Sequence, residues 1–296
     1  IINYNYQTII SIFFVIILFN LFMYLKIYKE RVNILLENFV NKIEDNDLKQ
    51  MVEYSLFGGK RLRSIICLYL LDKFSLKNDN IVIGIEFLHC ASLILDDLPC
   101  MDNDDFRRGI QTFHKRYGRK NAYIVANYLF TEFNKFIVNL NDNKLMTYIF
   151  ENLILIVKGQ YCDLGLENEK IKLKNEKKED IIYKNNLKTY PFFVLAFIIP
   201  FFLKGNYDFR EDVETIAYKF SIAFQIYDDF IDYEQDIINN TFNHIKLLGR
   251  VETYNLYQSN IVDFNRLCKK YDINSDLFNE IIKYLNDNLE EYVNGL

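Results

Sequence analysis

The reading of this chain turns on residues 89–108, His89-Cys90-Ala91-Ser92-Leu93-Ile94-Leu95-Asp96-Asp97-Leu98-Pro99-Cys100-Met101-Asp102-Asn103-Asp104-Asp105-Phe106-Arg107-Arg108. An apolar run ends in five carboxylates, and the paired Arg107 and Arg108 follow at once. On an unbroken helix Asp96 and Asp102 would point about 120° apart, too far to share one ion. Pro99 stands between them with no amide hydrogen and a ring that clashes with the preceding turn, so the helix is expected to end or kink there. Such a break swings Asp102 back toward Asp96 and Asp97. Crowded carboxylates need a hard cation, and an all-oxygen, partly hydrated donor set suits Mg²⁺ shared with substrate phosphates. Arg107 and Arg108 add planar forks for phosphate oxygens. An acidic turn alone is usually solvated surface. A second acidic cluster reverses that reading here.

That cluster lies far along the chain. Residues 211–236 read as a helix with Val213, Ile216, Ala217, Phe220, Phe224, Tyr227 and Ile231 inward, and it carries Gln225, Asp228, Asp229, Asp232 and Asp236. Asp228 and Asp232 share a face, where like charges repel unless a cation joins them. Upstream, Phe57-Gly58-Gly59-Lys60-Arg61-Leu62-Arg63 reads as a glycine turn opening an apolar helix. Lys60 and Arg63, one turn apart beside helix-start amides, suit an anion seat without the spacing of a nucleotide P-loop, although solvated basic residues at a helix start are the commoner case. Residues 81–95 form the helix that delivers the first aspartates, and 121–138 form another. The segment 153–164 carries Lys158, Gly159, Gln160 and Asp163 on an otherwise apolar helix. Polar groups so placed line a wet cavity or find partners. Lys188-Thr189 precede Pro191 and the apolar stretch 192–203, which is too short to span a bilayer and reads as a buried helix. Leu277, Ile281, Leu285, Leu289 and Val293 continue the helical period to the end.

Composition sets the class. With 10 Gly and 3 Pro in 296 residues, little turn chemistry is available, which argues for long helices joined by short loops. No repeat, strand-period segment or interdomain linker interrupts the pattern, so the expected fold is one all-α body. A net charge of -5 leaves no basic field for nucleic acid. Five scattered cysteines without Cys-x-x-Cys spacing and only 3 histidines speak for reduced thiols and against disulfides or zinc. Residues 8–25 carry no charge, at the lower limit of roughly 18 apolar residues for a membrane span. Lys26, Lys29 and Arg31 follow, a basic flank that places the remainder on the cytoplasmic side. Residues 1–25 are therefore expected to be a membrane anchor or hydrophobic helix, and 26–296 the catalytic body. A buried first helix is the plainer alternative. The Lys/Glu-rich run 167–180 reads as solvated.

Two acidic clusters on separate helices, with basic residues at three places, describe a cavity for more than one phosphorylated ligand. Metal ions held between carboxylates and phosphate oxygens neutralise and orient a leaving group. Apolar helices between the clusters suit a hydrocarbon tail. The favoured chemistry is loss of diphosphate from a carbon chain, leaving a carbocation screened from water.

The same residues carry a resemblance. Gly58-Gly59-Lys60-Arg61-Leu62-Arg63, His89 with Asp96-Asp97-Leu98-Pro99-Cys100-Met101-Asp102 and Arg107-Arg108-Gly109, Gly159-Gln160 with Asp163, Lys188-Thr189, and Phe224-Gln225-Ile226-Tyr227-Asp228-Asp229-Phe230-Ile231-Asp232 resemble, in order and spacing, the motifs of trans-isoprenyl diphosphate synthases. Geranylgeranyl diphosphate synthases are the nearest in motif. The likeness runs from about residue 25 to the end. It implies an isoprenoid synthase-type helical bundle around a central cavity, usually homodimeric, with three Mg²⁺ ions per site. By the resemblance Asp96, Asp97, Asp102, Asp228, Asp229 and Asp232 hold metal on the allylic diphosphate, helped by Arg107, Lys188, Gln160 and Asp163. Lys60, Arg63, His89 and Arg108 bind isopentenyl diphosphate. The Thr189 carbonyl and the Gln225 amide oxygen face the cation. Small Ala91 and Ser92, one turn before Asp96, favour a C20 product, geranylgeranyl diphosphate, unless a bulky neighbour such as Phe133 closes the floor.

Three positions depart from the family pattern. Ser64 replaces the usual proline, and Asn127-Tyr128 stand where Gly-Asp is typical. The loop after Asp232 is short and lacks the usual lysines, with Lys246 as the nearest substitute. That loop motivates the alternative of an impaired subunit that shapes the product of a partner synthase; a longer-chain polyprenyl diphosphate synthase is another. A terpene cyclase needs no isopentenyl diphosphate seat, so Lys60, Arg63, His89 and Arg108 argue against it. The expected location is the cytoplasm, membrane-anchored or not, with a plastid-type organelle as the alternative.

Overall fold

A computed structural model describes residues 23–164, 177–239 and 241–293. The expected anchor over 8–25 falls outside these residues except for its last three, and most of the charged run 167–180 does as well. Among the described residues the chain is helical almost throughout. In order come α1 Met23–Val40, α2 Asn46–Leu56, α3 Leu62–Lys73, α4 Asp79–Asp96, strands β1 Phe106–Arg107 and β2 Ile110–Gln111, α5 Phe113–Tyr117, α6 Arg119–Val138, α7 Asn143–Asp163, α8 Lys178–Asn186, α9 Tyr190–Leu203, a 3₁₀ turn Tyr207–Phe209, α10 Arg210–Ile231, α11 Tyr233–Asn239, α12 His244–Leu248, α13 Arg250–Lys270 and α14 Asp276–Val293.

The middle of the bundle is α9. Every residue from Pro191 to Phe202 is buried, as befits a helix with no polar face. It packs against α3, α7 and α10. Phe193 meets Phe220 with ring centroids 5.1 Å apart, and Phe197 stacks on Phe278 at 5.8 Å. Edge and stacked ring pairs of this kind each add about 0.5–1.5 kcal/mol beyond the area they bury. No single described helix is long and apolar enough to cross a membrane, although α8 and α9 pass together as a pair bent by 64°. The burial of α9 inside the bundle accounts for its apolar sequence.

On one side of α9, α4 lies against α6. Gly84 makes this possible, since a Cβ there would stand 3.1 Å from the rings of both Phe133 and Phe136. Ala91 follows Gly84 by seven residues, two helical turns, and so shares the face turned to α6. Its small side chain thus serves helix packing rather than product depth alone. On the other side α10 lies against α13, whose buried Tyr257, Ile261 and Phe264 complete the core.

Some boundaries differ from the sequence reading. The helix expected over 153–164 begins ten residues earlier at Asn143, where Asp142 caps it by accepting from the Leu145 amide at 3.0 Å. The helix expected over 211–236 breaks at Asp232, and a separate α11 follows. The strand pair was not anticipated. Arg108 and Gly109 both take positive φ, 54° and 77°, between Phe106–Arg107 and Ile110–Gln111. That is the two-residue turn whose twist suits a tight hairpin, and its residue pairs are too short to show a period of two.

Candidate active site

Five segments meet at one end of the bundle, and the helix stop at Asp96 sets their arrangement. α4 ends at Asp96, with Asp97 already outside it. The chain then turns so that the Asp102 amide donates to the Asp96 carbonyl at 2.9 Å. Pro99 sits within that turn, and the two carboxylates come to one place. Lys188, just before α9, puts its Nζ 3.8 Å from Asp96, 3.8 Å from Asp102 and 2.8 Å from Asp163 at the end of α7. One ammonium thus occupies the centre of three carboxylates. Burial pulls the Lys188 amine down, but Asp96, Asp163 and Asp102 outweigh it and leave it raised. Burial, with Asp102 and Asp163 nearby, pushes Asp96 up to about 6 despite that amine.

The close approach of α7 to Lys188 depends on Gly159. A Cβ at this position would lie 2.4 Å from the Leu187 carbonyl carbon and 2.4 Å from the Lys188 nitrogen. The Gly159-Gln160 motif is therefore where one helix presses directly on the backbone that carries Lys188 and Thr189. The Gln160 Nε2 is buried there without a protein partner.

Thr189 links this pole to α10. The Gln225 Nε2 donates to the Thr189 Oγ1 at 3.2 Å, which leaves the Gln225 Oε1 buried and without a partner. Asp228 lies three residues on. Its carboxylate is 3.9 Å from the Lys60 Nζ. Burial raises Asp228 to about 6, with Lys60 opposing. Asp232, the residue that ends α10, is raised by burial and by Asp236. Asp228 and Asp232 remain one turn apart although the helix stops between them and α11, with the Asp232 amide donating to the Asp228 carbonyl at 2.9 Å.

Two predicted carboxylates have other occupations. Asp97 is almost fully buried, 3% exposed, and its Oδ1 accepts from Arg107 at 2.6 Å. Burial raises it to about 6. Asp229 directs its Oδ2 to the amide and the Nδ1 of buried His244, both at 2.6 Å. That oxygen fastens α12 to α10 instead of standing free beside Asp228. Within the short return after Asp232, Asp236 accepts from Thr241 and from Asn243, each at 2.9 Å. Lys246 gives a hydrogen bond to the Thr241 carbonyl at 3.0 Å. Lys60 is a cation that acts on Asp232.

The basic residues form a second pole. Helix α3 starts at Leu62, so Lys60 lies in the glycine turn before it and Arg63 within its first turn. Arg63 lies over the rings of Phe193 and Phe192, 4.5 Å and 5.5 Å from their centroids. Its Nε is buried without a partner. Burial draws it down to about 10, which leaves it charged at neutral pH. His89 faces the edge of Phe192. Burial first, then Arg63, Arg108, Arg107 and Arg61, hold its imidazole well below its ordinary value, so it is neutral there. The hairpin separates the two arginines. Arg107 on β1 turns to Asp97, whereas Arg108 at the turn donates to the Phe57 carbonyl at 3.0 Å and lies against Gly58.

Sequence reasoning assigned nothing to Arg61 and Glu86. Arg61, 8% exposed, holds Glu86, 1% exposed, at 2.8 Å. The available signal was Glu86 itself, a lone charge inside the apolar run of α4.

The arrangement offers clustered carboxylates, cations that lie over aromatic rings, and two amide groups, from Gln160 and Gln225, that each keep a buried polar atom unused. Among the described residues no three acidic, His or Cys side chains converge closely enough to hold an ion by themselves.

Residues 45–243 match the polyprenyl synthetase family. A farnesyl diphosphate synthase of Bacillus subtilis is 31% identical over 261 residues, 80% of this chain and 87% of that protein. A trans-prenyltransferase of African swine fever virus is 28% identical over 272 residues, 82% of this chain and 78% of its own. Among solved structures, a geranyltranstransferase from Thermotoga maritima superposes with a TM-score of 0.77 at 26% identity, covering 90% of this chain and 99% of that one. None of these three carries the geranylgeranyl name that the motifs suggested.

Proposed function

Because the chain belongs to the polyprenyl synthetase family, we propose that it is a trans-prenyltransferase that condenses isopentenyl diphosphate with an allylic diphosphate. The observation that carries this reading is the pair of poles, with Lys188 held among Asp96, Asp102 and Asp163 on one side and Lys60 and Arg63 over aromatic rings on the other.

The donor set fits Mg²⁺. Asp96, Asp102, Asp228 and Asp232 offer carboxylate oxygens, and the Lys188 ammonium already stands where a cation belongs. Those carboxylates would hold the metal together with oxygens of the bound diphosphate. When bound, the metal supplies charge neutralisation of the diphosphate leaving group. Asp97 would act by holding the Arg107 fork toward that diphosphate, and Asp229 by fixing the end of α10.

The chain's own groups account for the rest. Lys188 and Arg107 would grip the allylic diphosphate. The Gln225 Oε1, buried without a donor, would face the developing cation together with the Thr189 carbonyl. Such acceptors cost little reorganisation because the fold has already oriented them. Lys60, Arg63 and Arg108 would hold isopentenyl diphosphate, and neutral His89 would add a hydrogen bond without charge. Aligning the two carbons in this way supplies about 7–11 kcal/mol of barrier lowering in well-oriented reactions. The departing diphosphate is the base at hand for the proton lost after the new carbon–carbon bond forms.

The C20 length has behind it the small Ala91 and Ser92, while the relative from Bacillus subtilis is a farnesyl enzyme by name. Ala91 shares the packing face of Gly84, so Ser92 carries what remains of that argument. We read the assembly as a homodimer through the outward faces of α6 and α7, where Ile124, Val138, Ile154 and Val157 are more than half exposed. A tether formed by residues 8–25 rests on their uncharged run, and the cytoplasmic placing of the body on the basic flank that follows.

The test is incubation of residues 26–296 with Mg²⁺, labelled isopentenyl diphosphate and C5, C10 or C15 allylic diphosphates, with chromatography of the product. Elongation that requires Mg²⁺ is expected. Folded protein that elongates none of them, yet shifts the product length of a partner synthase, would overturn the reading in favour of a modulating subunit.

A further inference from the structure

The Gly58-Gly59-Lys60-Arg61-Leu62-Arg63 turn holds a residue that faces away from the substrate side. Arg61 adopts φ 62°, ψ 12°, a left-handed conformation that is uncommon in a non-glycine residue. Its guanidinium uses all three nitrogens. Nε donates to the Asn33 Oδ1 of α1 at 3.1 Å, Nη1 to the Glu86 Oε1 of α4 at 2.8 Å, and Nη2 to the Leu56 carbonyl at the end of α2. The second Glu86 oxygen accepts from Ser64 Oγ at 3.1 Å. Gly59 leaves room for this knot, since a Cβ there would have to push aside the Arg61 guanidinium and would stand 3.0 Å from the Glu86 Oε1.

This buried pair ties three helices to the one turn that bears Lys60 and Arg63. Lys60 is the residue before Arg61, and Arg63 the second after it. With the Arg61 side chain locked behind the turn, its neighbours are directed to the front, where Lys60 lies over Phe224 and Tyr227 at 5.8 Å and 5.7 Å and Arg63 over Phe193. Glu86 also stands three residues, nearly one turn, before His89 on α4. One buried carboxylate thereby sets the turn against the helix that carries His89. Ser64, in the position where proline is usual, adds a hydrogen bond that proline cannot make.

We propose that Arg61 and Glu86 are positioning residues for the isopentenyl diphosphate seat, acting through Lys60, Arg63 and His89 and touching no substrate. This rests on the synthase reading for the identity of the ligand. It assigns the pair first to the isopentenyl diphosphate side, because Lys188, Asp102 and Asp163 stand on other segments and only Asp96 shares α4 with Glu86.

The experiment measures Arg61→Met, Arg61→Lys, Glu86→Gln, Asn33→Ala and Ser64→Ala in the full chain. Binding of isopentenyl diphosphate is read by calorimetry, and turnover by KM for each substrate and kcat. Arg61→Met and Glu86→Gln are expected to weaken isopentenyl diphosphate at least tenfold in Kd and KM, with the allylic KM changed less than twofold. Arg61→Lys keeps the charge but loses the fork, so it should recover part of that loss. Ser64→Ala and Asn33→Ala remove one hydrogen bond each, and a twofold to fourfold selective weakening carries the test if the stronger variants do not fold. Folded variants with unchanged isopentenyl diphosphate affinity, or with both substrates weakened equally, overturn the proposal. Wild-type protein that binds isopentenyl diphosphate but does not turn over defeats the synthase reading alone, and the calorimetric comparison still decides the positioning role.

Discussion

At the scale of single residues the site is held under electrostatic tension. Asp96 and Asp228 are each raised from 3.8 to about 6, chiefly by burial. A carboxyl raised on folding contributes stability that is fully present below its unfolded value and is lost as the pH rises through its folded value. Here the loss falls between pH 3.8 and about 6, so at neutral pH both charges work against the fold. Asp228→Asn should therefore raise the stability of the metal-free protein by about 1 kcal/mol, in keeping with the usual trade between site charge and stability. Chemical denaturation at pH 7.5 measures it. The same variant should lose about 10²–10³ in kcat, the scale of removing one preorganised group that stabilises developing charge. Such tension is readable in sequence as far as the crowding of Asp96, Asp97, Asp102, Asp228, Asp229 and Asp232 goes. Which of them are free is not, because Asp97 and Asp229 differ from their neighbours only in what tertiary structure brings to them, Arg107 and His244.

At the scale of elements, the close contact of α7 with the α8–α9 junction governs where Lys188 stands. Gly159→Ala places a methyl group 2.4 Å from backbone atoms that cannot rotate away. Overpacking of this kind costs typically about 1–3 kcal/mol, and a fall in the denaturation midpoint should show it. Activity should fall further than stability explains, with the allylic KM raised more than that for isopentenyl diphosphate, because Lys188 moves relative to Asp96 and Asp163. A second prediction concerns depth. Ser92→Phe is expected to shorten the longest product, read by chromatography, whereas Ala91→Phe should chiefly destabilise by about 1–3 kcal/mol, since Ala91 shares the packed face of Gly84. Helices were legible wherever apolar periodicity was strong, as in α4, α6 and α10. The hairpin Phe106–Gln111 was not, because two-residue strands have no pattern to read and their turn owes its shape to Arg108 and Gly109 at positive φ. The Arg61–Glu86 tie was equally hidden, because an ion pair 25 positions apart exists only once α3 and α4 have met.

At the scale of the whole molecule, the site gathers carboxylates and cations from several helices, so a ligand that bridges them should stiffen the bundle. Mg²⁺-diphosphate, taken up as one unit at about a hundred times its dissociation constant, should add about 2.7 kcal/mol to stability. For a chain of this length that corresponds to a rise in Tm of several degrees, at about 2–4 °C per kcal/mol. Scanning calorimetry with metal alone, diphosphate alone and both should show the large rise only with both. The all-helical class followed from composition, since so few glycines and prolines leave few places for the chain to turn. The central placing of α9 followed from its length and lack of any polar face.

The Lys188 ammonium among Asp96, Asp102 and Asp163 has one more consequence. A site lined only with carboxylates would spring apart whenever its metal left. Here a resident ammonium stands among those walls, so on the synthase reading loading would exchange one counter-ion for another.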